Sequence, residues 1–241
     1  MWLAIDSAWG IGSVALGRPA ETVPPLVETM RQPRTHASGL LPLIDAMLAQ
    51  ARIELAELKG VVIGDGPGSF TGLRIGASVA KALVDAHGVE LWTAPSLMAM
   101  ALTASSEQDA AILPVADALR GDLYCGLYRF GSDRVVTEHH AAVRRPDAIV
   151  STFPIPKVMV GEAPEPARRA LCEWAGCPVT PPSSRGAGAL LDLIGLSGGA
   201  RRIPHSEVSG WEPDYGRPAE AQAKWERVHG RPLADPPRAD R

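Results

Sequence analysis

No run in this 241-residue chain approaches the ~20 apolar residues that a membrane-spanning helix requires, and neither end shows a basic leader followed by an apolar stretch and a cleavage site. A bilayer span and a secretory route are set aside, and the cytosol is the expected compartment. Basic charge is not in excess: Lys and Arg total 24 against 27 Asp and Glu, a formal charge of −3. A protein that grips nucleic acid unaided usually shows a basic face, so any RNA is expected to be held through a partner. Cysteine is scarce. Cys125, Cys172 and Cys177 are odd in number and lack C-x-x-C spacing, which reads as reduced structural thiols rather than a disulfide framework. What remains is an ordinary globular balance, 46% hydrophobic and 21% charged, able to bury a core in one large domain or two modest ones.

The chain opens with two short apolar runs, Leu3–Ser7 and Gly12–Leu16, that read as a β-hairpin with Asp6 at the end of its first strand. Leu40, Leu41, Ile44, Met47, Leu48 and Ala51 then recur at helical spacing, with Pro42 expected in the first turn. Val61–Ile63 reads as a buried strand, Thr71–Ala86 as a helix, Leu91–Trp92 as a strand and Pro95–Ala104 as a third helix. The polar, unpatterned Ser105–Asp109 is the expected lobe boundary, giving lobes over 1–104 and 105–241. Beyond it, strands are expected at Ile112–Ala116, Leu123–Phe130 and Val158–Val160, and helices near Ala167–Ala175 and Ala187–Leu196. The Asp6 hairpin has a rough echo around Asp117, hinting at two related lobes of mixed α/β sheet. From Arg201 the chain is rich in Pro, Arg and Asp with little periodicity, and a flexible tail is expected after Pro232.

The most informative stretch runs from Gly66 through Pro67, Gly68, Ser69, Phe70, Thr71, Gly72, Leu73, Arg74 and Ile75 to Gly76. A strand leading through glycines into a helix can present backbone N–H groups to an anion. It is no Walker loop, because Leu73 rather than Lys follows Gly72, and the dinucleotide fingerprint fails because its third glycine falls on Ser69 or Thr71. The alternative is packing: Ser69 or Thr71 as a helix cap, and Gly72, Gly76, Ala77 and Ala80 as small residues that admit a close neighbour. Spacing alone leaves the two readings equal.

The segment GPGSFTGLRIG resembles the signature of the TsaB family, also called YeaZ. So do the opening LAIDSAWGIGSVAL, the helix HASGLLPLI from His36, the segment PSLMAMA from Pro95, the turn DALRGDLY from Asp117 and the ending EPDYGR from Glu212. The resemblance implies a two-lobed actin/Hsp70/sugar-kinase-like (ASKHA) fold. It also implies a role as adaptor to the catalytic subunit TsaD, which transfers threonylcarbamoyl to the adenosine beside the anticodon of tRNAs reading codons that begin with A. The implied partners are TsaD, the ATPase TsaE and a second copy of the chain, with TsaC supplying the threonylcarbamoyl-adenylate and tRNA met only through the complex.

TsaD holds a metal on an H-x-x-x-H helix, whereas Ser96–Ala101 contains no histidine; His36, His87, His205 and His229 are isolated, and His139 and His140 would point to opposite faces of a strand. No metal, cofactor or catalytic residue is therefore expected. Asp6, Ser7 and Asp117 are read as vestigial phosphate turns, crowded by Trp9. A small ATPase or phosphotransferase using Asp6 and Asp117 is the alternative. The docking surface is expected on the two first-lobe helices, through Leu40, Leu41, Ile44, Met47, Leu48, Leu73, Gly76, Ala77, Ala80 and Leu83. In the resembled family these helices serve both homodimerisation and pairing with TsaD.

Overall fold

The computed structural model describes residues 1–21, 23–30, 36–183 and 186–217; the expected flexible tail after Pro232 lies outside them. The first half of the chain forms β1 (Trp2–Asp6), β2 (Ser13–Gly17), β3 (Leu26–Thr29), α1 (His36–Ala51), β4 (Gly60–Gly64), α2 (Phe70–His87), β5 (Glu90–Ala94) and α3 (Ser96–Thr103). The second half repeats the succession: β6 (Ile112–Asp117), β7 (Leu123–Phe130), β8 (Val135–Arg144), α4 (Pro146–Thr152), β9 (Val158–Gly161), α5 (Glu165–Ala175), β10 (Val179–Thr180) and α6 (Gly186–Ile194). A last strand, β11 (Arg201–Ile203), follows.

The repetition extends to pairing. Strand order is β5-β4-β1-β2-β3 in one sheet and β10-β9-β6-β7-β8 in the other, with β11 added beside β5. In each, an antiparallel three-stranded meander is followed by two strands parallel to its first member. This duplicated, two-sheet arrangement is the ASKHA-like fold.

Strand periodicity sorts the core into layers, because successive side chains leave opposite faces of a sheet. Leu3, Ile5, Val61 and Ile63 face α1 and α2, whereas Ala4 and Val62 face inward. Leu113, Val115, Leu123 and Leu127 pack under α4 and α5. Between the sheets, α3 and α6 share one apolar cluster with residues of both, including Val62, Ala116 and Tyr128.

Elements on either side of the expected division at 104/105 pack on one another. Helix α3 of the first half packs on β6 and β7, α6 of the second half packs on β1 and β2, and β11 returns to the first sheet. Each half thus covers its partner's inner face. The inner faces are apolar, and only helices lying between them can bury both. Pro42 also departs from expectation: the helix begins at His36, so the proline stands inside it, in the second turn.

Candidate functional site

The glycine-rich segment closes directly onto the end of β1. Ser69 N donates to Ala8 O at 2.7 Å, and Ser69 Oγ caps α2 by accepting from Gly72 N at 3.2 Å. Gly72 admits this approach, since a Cβ there would collide with the Ser7 carbonyl oxygen. The positive end of α2 therefore faces the backbone carbonyls of Ser7 and Ala8, in the place an anion would take. These are the contacts of the packing reading: the loop's glycines seat a helix on a turn. Thr71 and Arg74 are exposed, and Arg74 lies over the Phe70 ring at 5.2 Å.

Asp6 is 3% exposed, and its Oδ1 accepts from Ala8 N at 3.2 Å and from Ser96 Oγ at 3.3 Å. Burial raises its pKa to about 6, opposed by the hydrogen bonds from Ala8, Ser96 and Trp9. The start of α6 closes the remaining side. Ala187 N donates to Ser13 Oγ at 3.2 Å, and a Cβ on Gly186 would lie 3.3 Å from Asp6 Oδ2. Helix α6 thus presents its positive end to a carboxylate of its own chain. Ser7 is fully buried, its hydroxyl turned toward Gly76 of α2, and Trp9 packs against the inner core.

Asp117 stands in the corresponding place of the second half but in another environment. It is exposed, and its Oδ1 accepts from Leu119 N at 2.7 Å, closing a local turn. The two carboxylates have separate partners. Among the described residues no group of three or more His, Cys, Asp or Glu side chains is placed to hold a metal ion.

The third region is a strap. After β11 and a 3₁₀ turn at His205–Glu207, the chain crosses the glycine-rich loop, with Asp214 N donating to Asp65 O at 2.8 Å. It ends on the second half, where Arg217 reaches Asp122 at 2.5 Å. Three segments that resemble family motifs from distant parts of the sequence (GPGSFTGLRIG, DALRGDLY and EPDYGR) therefore meet. Beneath the strap, burial raises the pKa of Asp65 to about 6, against the Thr93 hydroxyl and Arg201.

The residues expected at the docking surface differ in exposure. Leu40, Ile44, Met47, Leu48, Leu73, Ala77 and Ala80 are buried within the chain, and Gly76 lies against Ser7 and Ile63. Side chains already packed on their own sheet cannot face another subunit. Leu41 is the exception at 56% exposed, with Leu83 half-buried. The outward surface of the two helices includes Leu41, Ala46 and Ala49 on α1 and Ile75, Ser78, Val79, Ala82 and Leu83 on α2, together with the exposed Asp45, Gln50, Arg74 and Asp85. Sequence reasoning also missed Ser13, Ser96 and Gly186 around Asp6. Their signal was faint, one serine opening a strand and the other opening a helix after Pro95.

The profile of the TsaD family, tRNA N6-adenosine threonylcarbamoyltransferase, matches residues 29–160. The tRNA threonylcarbamoyladenosine biosynthesis protein TsaB of Bacillus subtilis is 26% identical over 226 residues, 92% of this chain and 96% of its own. An uncharacterized Mycobacterium tuberculosis protein is 33% identical over 165 residues, 68% of this chain and 73% of its own. A crystal structure described as an uncharacterized protein with similarity to peptidase YEAZ from Pseudomonas aeruginosa superposes with a TM-score of 0.70 at 25% identity. That match covers 90% of this chain and 99% of the other.

Proposed function

The chain belongs to the TsaB/YeaZ family, takes part in tRNA threonylcarbamoyladenosine biosynthesis, and, we propose, does so as a non-catalytic adaptor that binds a TsaD-type catalytic subunit. The observation that carries the adaptor reading is the outer surface of α1 and α2. Leu41 is exposed, Leu43, Ile75, Val79 and Leu83 are half-covered, and Ser78, Ala46, Ala49 and Ala82 between them are small. A surface of that kind lets another helix approach closely and bury apolar area. The same surface serves a second copy of the chain when the catalytic subunit is absent. TsaE joins through the assembled pair, and tRNA is met through the complex.

Catalysis by this subunit alone is disfavoured by the groups present. Asp6 is enclosed by Ala8, Ser96 and the start of α6, and Ser69 Oγ is engaged as a helix cap rather than paired with a base. The test is binding of Leu41→Arg and Ala82→Arg variants to a TsaD partner by calorimetry, with circular dichroism as the folding control. A charge left facing an apolar partner costs several kcal/mol, so at least about a hundredfold loss of affinity is expected with the fold intact. Unchanged affinity in both folded variants would move the docking surface elsewhere. Threonylcarbamoyl transfer by this subunit without its partner would overturn the non-catalytic reading.

A further inference from the structure

The strap between Val208 and Arg217 makes contacts on both halves. Lys81 of α2 anchors its beginning, donating to Ser209 O at 3.2 Å and lying 5.9 Å from the Trp211 ring centroid and 3.8 Å from Glu212. Trp211 is buried in the outer core of the first half. At the middle, the Asp214 carbonyl presses on Gly66, whose φ of +108° and lack of a Cβ allow it. Tyr215 packs on Phe70, with ring centroids 4.5 Å apart, and donates its hydroxyl to Glu212 at 2.8 Å. The end belongs to the second half. Gly216 sits in a notch between Pro67 and the Tyr124 ring, its N–H held by Asp214 Oδ1 at 2.8 Å, and Arg217 closes on Asp122.

Asp122 is itself part of the turn after β6, donating its N–H to Leu119 O and receiving one from Ala118. The glycine-rich loop is bonded to the turn after β1 through Ser69 N and Ala8 O. A continuous series of contacts thus runs from the first sheet-end turn, through the loop and the strap, to the second. In a two-lobed fold these are the edges that separate when the halves rotate apart, as in hinge opening.

We propose that residues Trp211–Arg217 are a clasp that holds the two sheet-end turns at fixed separation, with Arg217 on Asp122 as its latch. The pair suits that role because both side chains are only about a quarter to a third exposed, 26% and 31%, and because it lies beyond the shared core of α3 and α6. Releasing it frees the strap's end without touching the packing between the sheets. The clasp stands independently of the adaptor reading, since every contact in it lies within one chain.

Hydrogen exchange of the full chain, read by mass spectrometry, tests the latch. In Arg217→Ala, exchange in 66–70, 118–122 and 212–216 is expected to quicken together by about three- to tenfold, while β4 and β7 keep their protection. The charge exchange Asp122→Arg with Arg217→Asp should restore protection toward the original, and Asp122→Asn should give an intermediate effect. The clasp is overturned by unchanged exchange at 66–70 and 118–122 in Arg217→Ala, by equal acceleration throughout the chain, or by a charge-exchanged protein that behaves like the alanine variant.

Discussion

The two halves share one strand order and one succession of helices, yet they spend their surfaces differently. In the first half the outer helices α1 and α2 span 16 and 18 residues, and their outward faces set apolar and small residues beside the exposed Asp45, Gln50, Arg74 and Asp85. In the second half α4 and α5 span 7 and 11 residues, and α5 carries Glu165, Arg168, Arg169 and Glu173, with Arg168 paired to Glu165. The turns differ in the opposite sense. The first half encloses its carboxylate, whereas the second exposes Asp117 and strains the residues after it. A common topology therefore fixes where turns and helices fall, and side chains decide which of them can serve as a docking face or a reactive site.

The largest effect that would test this contrast comes from placing a charge on equivalent outer helices. Ala80 of α2 is fully buried against the first sheet, and Ala170 of α5 is exposed. Ala80→Arg is expected to lower stability by about 4 kcal/mol or more, enough to leave little folded protein, because an unpaired charge would enter the core. Ala170→Arg should stay within about 0.5 kcal/mol. Thermal melts of the two would compare them, and a well-folded Ala80→Arg would mean that α2 faces outward after all.

A second contrast sets Asp6 against Asp117. The Asp6 carboxyl is raised from its ordinary value to about 6 by burial, so the folded chain holds a proton that the unfolded chain has released. Stability accordingly falls as pH rises from about 4 to 6 and then levels off, a loss of about 2–3 kcal/mol from this group. Asp65, raised similarly, adds to the same slope. Urea unfolding at pH 5 and 7.5 should show the wild type more stable at the lower pH and Asp6→Asn with a clearly smaller difference. Asp117→Asn makes the same exchange at an exposed turn and preserves the acceptor of the Leu119 N–H. A wild-type protein equally stable at both pH values would contradict the buried, destabilised carboxylate.

Much of the fold was legible in the sequence because local periodicity carried it. The expected strand Leu123–Phe130 is observed with those bounds, and the helix expected over Thr71–Ala86 runs from Phe70 to His87. The edge strand β8 was missed. Its burial alternates from Val135 to Ala141, but the residues there, VVTEHHA, do not alternate between apolar and polar, so no period of two marked it. Strand β11 has three residues, too few to show a period. For the docking residues the limit is another: small and apolar residues at helical spacing report burial, not the identity of what buries them. Gly76 and Ala80 were sound as packing residues, but their neighbours are Ser7, Ile63 and the first-half core. The EPDYGR segment was conspicuous as a resemblance, whereas its meeting with Asp65 and Asp122 depends on tertiary placement that no local pattern encodes.

The smallest expected effect concerns the strained turn of the second half. Leu119 and Arg120 have φ of 64° and 59°, in the left-handed region, whereas none of residues 7–12 in the first-half turn has positive φ, although Gly10 and Gly12 lie there. For a residue with a Cβ the left-handed region costs roughly 1–2 kcal/mol, and glycine escapes that penalty while losing more chain entropy on folding. Leu119 is 69% exposed, so removing its side chain forfeits little burial. Leu119→Gly is therefore expected to stabilise the protein, and Leu119→Ala, which keeps the Cβ, serves as the control for the lost side chain. The difference between the two variants should be about 0.5–1 kcal/mol in favour of glycine, or a few degrees in Tm for a chain of this size. Asp117 Oδ1 should keep its hydrogen bond to the residue-119 amide in both, so the comparison isolates backbone strain. If alanine and glycine melt at the same temperature, the turn is not strained, and this part of the contrast between the two halves disappears.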